Sequence, residues 1–271
     1  MIPTARSEMR ACAAAFSFLT RLPVRRVTHG PEDLARAATY FPLVGIIVSL
    51  VGGAVYAGAI MLWPPTVALL LSLAATVAIT GALHEDGLAD AFDGFGGGWD
   101  RAQILAIMKD SRVGSYALVG IFIVLAVKLA ALTTIAGSPG ATLVEKQASI
   151  TRVLRALLDG HVLARWSSVL LMRSYPYVRI ASETDRASAG RPFARGATTS
   201  QLVRASVITV LIVTEAVGVR ALTTIAVALG MTWIAGWYFE RRLGGITGDA
   251  LGAANQVVEL SVYLALAARF R

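Results

Sequence analysis

A chain of 271 residues that is 56% hydrophobic and 15% charged, with a mean hydropathy of +0.65, carries more apolar surface than a water-soluble core of that size can cover. Its net charge of +8 resembles that of a nucleic-acid-binding protein, but in so apolar a chain it follows from Lys and Arg kept on one side of a membrane, so no nucleic-acid partner is expected. Cys12 is the only cysteine, which excludes an intrachain disulfide and a Cys-rich metal site.

Residues 11–20 follow Arg6 and Arg10 in the manner of a signal peptide. Arg21, Arg25 and Arg26 come directly after and no small-residue cleavage site follows, so the segment reads as an uncleaved interfacial or half-buried helix. A helix needs ~20 apolar residues to cross ~30 Å of hydrocarbon. On that measure the predicted spans are 41–62, 65–83, 116–136, 153–171, 202–219, 221–239 and 250–268. Trp63, Pro64 and Pro65 separate the first two, and Gly137, Ser138, Pro139 and Gly140 close the third. The expected fold is all-α: a polytopic membrane bundle of about seven transmembrane helices in one domain, 1–271, with short amphipathic helices on its cytoplasmic face. A cytoplasmic N-terminus puts segments 1–40, 84–115, 172–201 and 240–249 inside. These hold 16 of the 25 Lys and Arg, against 5 in the outer segments, and the asymmetry favours that orientation.

The densest chemistry lies after the second span, in His84-Glu-Asp-Gly-Leu-Ala-Asp-Ala-Phe-Asp-Gly-Phe-Gly-Gly-Gly98. Asp86, Asp90 and Asp93 stand at i, i+4 and i+7, within about 60° of one another on one helical face. Stacked carboxylates repel, and a hard divalent cation removes the conflict; Mg²⁺ typically takes one or two carboxylates together with substrate phosphates. Gly94, Gly96, Gly97 and Gly98 follow, and a glycine-rich turn can bring consecutive N–H groups against phosphate oxygens. The pattern points to a metal–diphosphate site; its alternative is a solvated acidic loop. Glu85 points about 100° off the shared face. Asp100-Arg-Ala-Gln103 has the form of a capping box opening a short amphipathic helix. Next, Lys109-Asp-Ser-Arg112 places two cations where they could neutralise phosphate or pair with the aspartates.

Further along, Arg155 and Asp159 are spaced as an i, i+4 pair, and His161 and Arg165 share another face, with Arg165 able to reach substrate phosphate or to form a buried pair. Segment 172–201 mixes Arg173, Arg179, Arg186, Arg191 and Arg195 with Tyr175, Tyr177 and Phe193, and is expected to cover the site. In the last span Asp249, Gly252, Gln256 and Glu259 form one polar stripe; Asp249 can cap the helix. Glu259, roughly 15 Å into the span, calls for a partner, and mid-span Lys128 is the candidate.

The run HEDGLADAFDGFGGG followed by IMKDSRVG resembles the signature of the cobalamin synthase family. Phe18-Leu-Thr-Arg-Leu-Pro23 and Phe41-Pro-Leu-Val-Gly45 are similar to its N-terminal region, and Gly244-Gly-Ile-Thr-Gly-Asp249 to its C-terminal signature. The resemblance implies a multi-pass enzyme of the bacterial cytoplasmic membrane that uses Mg²⁺, joins adenosylcobinamide-GDP to α-ribazole or its phosphate, and releases GMP. On that reading Asp86, Asp90 and Asp93 hold Mg²⁺, and Asp110 or His84 is the general base. Gly96, Gly97, Lys109, Ser111, Arg112, Arg165, Thr247 and Asp249 bind substrate. The expected partners are these small molecules and the lipid bilayer, with a homo-oligomer left open. The competing expectations are a CDP-alcohol-type phosphotransferase, a secondary transporter and a corrinoid receptor.

Overall fold

A computed structural model describes residues 4–24, 30–138, 140, 142–178 and 196–268. Among them the secondary structure is helical apart from one isolated parallel bridge, Tyr177 to Ile246.

Helix α1 (Ala5–Leu19) is capped by Thr4 and buries Ala11, Ala14, Ala15 and Leu19, the one-sided pattern of an amphipathic helix. It packs against α2 (Pro31–Ala37), which runs through a 3-10 turn into α3 (Phe41–Ala59). Helix α4 (Pro65–Thr80) returns antiparallel along α3, where Ser72 Oγ donates to the Gly52 carbonyl at 2.8 Å. Small residues also bring α3 against α8 (Leu143–Ser174): a Cβ at Gly45 would stand 2.8 Å from the His161 carbonyl oxygen, and Ser49 Oγ donates to the Leu157 carbonyl at 2.8 Å. In lipid, where no hydrophobic force drives helices together, such close backbone approach and interhelical hydrogen bonding hold the bundle.

Three short elements follow the α4 hairpin: α5 (Leu83–Gly97), α6 (Arg101–Ile107) and the start of α7 (Ser115–Ala136). Helix α9 (Thr199–Val217) runs antiparallel to α8, with Trp166 Nε1 donating to Ser206 Oγ at 2.9 Å. Gly218, at φ +61°, turns the chain, and α10 (Ala221–Leu243) runs back parallel to α8, from Thr224 at Asp159 to Gly236 beneath the Tyr175 ring. Helix α11 (Gly248–Ala267) completes the bundle.

All seven expected spans are therefore helical. By length and composition four helical stretches could cross a membrane (Glu32–Ala59, Ser115–Ala136, Thr199–Leu243 and Gly248–Ala267), and α4 with α5 would make a fifth. The stretch Thr199–Leu243 contains the Gly218 reversal. Helix α8 falls outside the set because Arg155, Asp159 and Arg165 interrupt its apolar sequence; α3, α7, α9, α10 and α11 surround it. The second expected span differs most: α4 stops at Thr80, and α5 leaves it at 91° through the left-handed pair Gly81 (φ +65°) and Ala82 (φ +58°).

The four segments expected inside meet at one end. Arg21 N–H donates to the Ile79 carbonyl at 2.7 Å, Gln201 Nε2 to the Ala35 carbonyl at 2.7 Å, and Arg242 to the Gly98 carbonyl at 3.0 Å. Two polar expectations divide. Lys128 Nζ does reach Glu259, at 2.9 Å. Arg155 does not pair with Asp159, whose carboxylate instead accepts from Thr224 Oγ1 of α10 at 3.3 Å, because it faces the bundle while Arg155 is exposed. Of the basic segment 172–201, Arg179, Arg186, Arg191, Phe193 and Arg195 lie outside the described residues, as do Arg25 and Arg26.

Candidate active site at one end of the bundle

Four separate sequence blocks converge on one cavity of about 200 Å³ at this end. Phe18 and Leu19 come from α1, Phe41 from α3, Leu83, His84, Asp86 and Gly87 from α5, and Gly248, Asp249, Leu251 and Gly252 from α11; α8 supplies Arg165, Ser168 and Met172. Part of the lining is apolar and aromatic: Phe18 and Phe41 stack with centroids 6.3 Å apart, and Tyr177 and Met172 also border the cavity. The polar part of the lining is His84, Asp86, Arg165, Ser168 and Asp249. Few polar groups set into a mostly apolar hollow make up the usual form of a small-molecule site.

The local backbone explains how the acidic block reaches this place. The bend at Gly81–Ala82 turns α5 away from α4 at 91°, and the Arg21 side chain lies over Gly81, where a Cβ would stand 2.1 Å from Nε. Helices α5 and α11 then cross at glycines: a Cβ on Gly87 would lie 3.0 Å from the Asp249 Cα and carbonyl oxygen, and one on Gly252 would lie 3.2 Å from the Gly87 Cα. This contact sets His84 and Asp86 beside Asp249. Thr247 is the N-cap of α11, accepting from the Ala250 N–H at 3.1 Å, and it is 3% exposed, so its hydroxyl supports the helix rather than facing the cavity. That assigns the cap to Thr247 and leaves Asp249, in the first helical turn, at the cavity wall.

The remaining expected residues lie toward the other end of α5. From Asp86 to Gly96 the helix rises ~15 Å. Gly96 and Gly97 sit in its last turn instead of an open glycine loop, and Gly98 closes the helix by donating to the Gly94 carbonyl at 2.9 Å. Their glycines serve packing. A Cβ on Gly96 would press into the Tyr116 ring at 2.6 Å, and one on Gly94 would meet the Met108 side chain at 2.6 Å. Asp100 caps α6 as expected, accepting from Gln103 N–H at 2.9 Å. Lys109 and Ser111 are exposed here. Arg112 grips Asp110 through three contacts of 2.5 to 3.0 Å, and its hydrogen bonds hold the Asp110 carboxyl down at about 2.

Asp93 accepts from Gly114 N–H at 2.6 Å and Ala117 N–H at 2.9 Å, closing the open N-terminus of α7. Each of its oxygens accepts one of these bonds, and among the described residues no three His, Cys, Asp or Glu side chains gather as a ready cation cage. The expected three-carboxylate set is not assembled in this arrangement. Asp86 and Asp90, one turn apart on α5, still fit Mg²⁺ in its common form, with few protein carboxylates and phosphates completing the shell.

Beneath the cavity lies a chain of buried charge that sequence reading found only in part. Lys128 Nζ bonds Glu259 at 2.9 Å and Gln256 Oε1 at 2.6 Å; His161 Nδ1 stands 3.4 Å from the other Glu259 oxygen. Arg165 donates to the His161 carbonyl at 3.1 Å. His84 and Arg165 border both this chamber and the open cavity. The i, i+3 spacing of Gln256 and Glu259 flagged the α11 side. Nothing in the sequence flagged Met172 or joined His161 to Glu259, because those contacts depend on how the helices rotate against one another.

The pattern of cobalamin-5-phosphate synthase matches residues 11–267. An adenosylcobinamide-GDP ribazoletransferase of Leptothrix cholodnii is 39% identical over 263 residues, covering 95% of this chain and 94% of its own. Proteins of the same name from Shewanella amazonensis and Ralstonia nicotianae are 36% and 35% identical, covering 97% and 99% of this chain and 96% and 98% of their own. No solved structure matches. A match this continuous, running through every block that lines the cavity, makes the chain a member of the cobalamin-5-phosphate synthase family.

Proposed function

We propose that the protein joins adenosylcobinamide-GDP to α-ribazole, or to α-ribazole phosphate, and releases GMP. We further propose that it does so in a bacterial cytoplasmic membrane with seven helical passes, its N-terminus and its cavity facing the cytoplasm. The observation that carries this reading is the convergence of the four sequence blocks on one cavity whose lining includes His84, Asp86, Arg165 and Asp249.

In the reaction a ribose hydroxyl of α-ribazole attacks the phosphorus nearer the corrinoid. The new P–O bond forms as the bond to GMP breaks, and the hydroxyl proton must leave. His84 is favoured as its acceptor because it borders the cavity beside Asp86, whereas Asp110 is gripped by Arg112 near the far end of α5. Arg165 supplies fixed positive charge to the phosphates, and the Phe18–Phe41 wall offers a flat apolar surface to a base or to the corrin rim. Asp86 and Asp90 would hold Mg²⁺, which when bound withdraws charge from the diphosphate and stabilises the leaving GMP. Lys109, Ser111 and Arg112 bind substrate in this reading only if its far end extends along α5.

The test is turnover by the full chain in nanodiscs supplied with adenosylcobinamide-GDP, α-ribazole and Mg²⁺, with GMP and corrinoid product separated by chromatography. GMP and product should form one for one, stop with EDTA, and fall about a hundredfold or more in Asp86→Asn. Folded protein that binds corrinoid and releases no GMP would overturn the transferase reading in favour of a receptor.

A further inference from the structure

At the opposite end, the last turns of α7, α9 and α11 meet the flank of α8 around a cavity of about 740 Å³. Three arginines border it. Arg152 is committed to the scaffold, donating to the carbonyls of Ile135 at 3.0 Å and Ala136 at 2.6 Å and so closing the C-terminus of α7. Arg155, one turn further along α8, and Arg220, in the turn between α9 and α10, make no ion pair or side-chain hydrogen bond among the described residues. Helix ends at Ala136, Val217 and Ala267 stand around the cavity, so in a bilayer spanned by these helices the guanidinium groups would lie where hydrocarbon gives way to headgroups.

A second space adjoins the first. A groove of about 670 Å³ runs between α8 and α9, bordered mainly by Leu154, Leu158, Leu211 and Ile212, and it shares Arg155 and Ala216 with the basic cavity. Glu215 stands on the groove, and Asp159 lies one turn deeper on α8, bonded to Thr224, so the three arginines outnumber the nearby carboxylates.

We propose that the two spaces form one binding site for an anionic membrane phospholipid, its phosphate between Arg155 and Arg220 and an acyl chain in the groove. The charge and the apolar channel meet at Arg155, which is the junction that a phosphate ester with a hydrocarbon tail requires. Basic pockets between transmembrane helices collect anionic headgroups for this reason. A free phosphate ion would use the arginines and leave the groove without a role. The site is separate from the transferase cavity, so its fate does not depend on that assignment.

The test is phosphatidylglycerol titrated onto the delipidated full chain in detergent, with bound lipid counted by native mass spectrometry. One lipid per chain should be retained, and Arg155→Gln/Arg220→Gln should weaken it roughly thirtyfold. Leu211→Trp, at a position 62% exposed, fills the groove without touching the arginines and should also weaken binding. Diacylglycerol, which lacks phosphate, should not be retained, and millimolar inorganic phosphate should not displace the lipid. Unchanged binding in both variants overturns the proposal, as does equal retention of diacylglycerol. Stoichiometric displacement by inorganic phosphate would reassign the pocket to free anions.

Discussion

Asp93 belongs by spacing to the acidic stripe, yet its two oxygens take amide protons at 2.6 and 2.9 Å from the first turn of α7. Asp93→Ala should therefore lower stability by roughly 1–3 kcal/mol, and Asp93→Asn, which keeps one acceptor, by less. Thermal unfolding in detergent checks this; unchanged stability with lost turnover would return Asp93 to a metal-binding role. Asp110 makes a second prediction, about pH. Its carboxyl is depressed from the ordinary 3.8 to about 2 by Arg112, so the ionised form persists as pH falls until that lower value is reached. Accordingly Asp110 should contribute no limb to the kcat/KM profile between about pH 5 and 9, and Arg112→Gln should let its titration climb back toward the usual carboxylate range. An acid limb near neutrality that moves in Arg112→Gln would show that Asp110 is the working base. Spacing alone made Asp86, Asp90 and Asp93 equivalent. Only the position of Gly114 and Ala117, more than twenty residues away in sequence, distinguishes the third from the first two.

Helices α5 and α11 meet where neither can carry a side chain. Gly87→Ala would drive a methyl group to 3.0 Å from the Asp249 backbone, which cannot yield as a side-chain tip could. The expected cost is roughly 1–3 kcal/mol, with loss of turnover as His84 and Asp86 shift from Asp249; activity and unfolding measured on the same preparation test both parts. The pairing of α7 with α11 gives another case. Lys128→Met leaves buried Glu259 without its ammonium partner and should cost roughly 3–5 kcal/mol, whereas Lys128→Met/Glu259→Leu should recover most of that loss. A double variant as unstable as the single one would mean that the pair is not the unit of stabilisation. The helices themselves were legible from apolar runs and from Pro and Gly punctuation. The end of the second span was not: 65–83 reads as one apolar stretch, and the turn depends on Ala82 adopting a left-handed conformation that its residue type does not signal.

Across the whole molecule, the charge asymmetry of the loops anticipated that 1–40, 84–115, 172–201 and 240–249 share one end, and their contacts bear this out. The side of the membrane that this end faces is open to measurement. In a Cys12→Ser background, Trp99→Cys and Val219→Cys place single thiols at positions 92% and 85% exposed, at opposite ends of the bundle. An impermeant maleimide should label position 99 only from the cytoplasmic side and position 219 only from outside; the reverse pattern would overturn the proposed orientation. The cavity was legible as a set of motifs but not as a place, since Phe18, Phe41, His84 and Asp249 are brought together only by the stacking of α1, α3, α5 and α11.

The right angle between α4 and α5 has one further consequence. It takes α5 off the line of α4 and lays it along α7 and α11, with Gly96 under the Tyr116 ring, Phe92 over Gly120 and Gly87 against Asp249. Among the described residues Ala82 is the one non-glycine at positive φ, so the heading of the whole acidic helix hangs on a single backbone conformation, and Asp86 and Asp90 would be redirected together if it were lost.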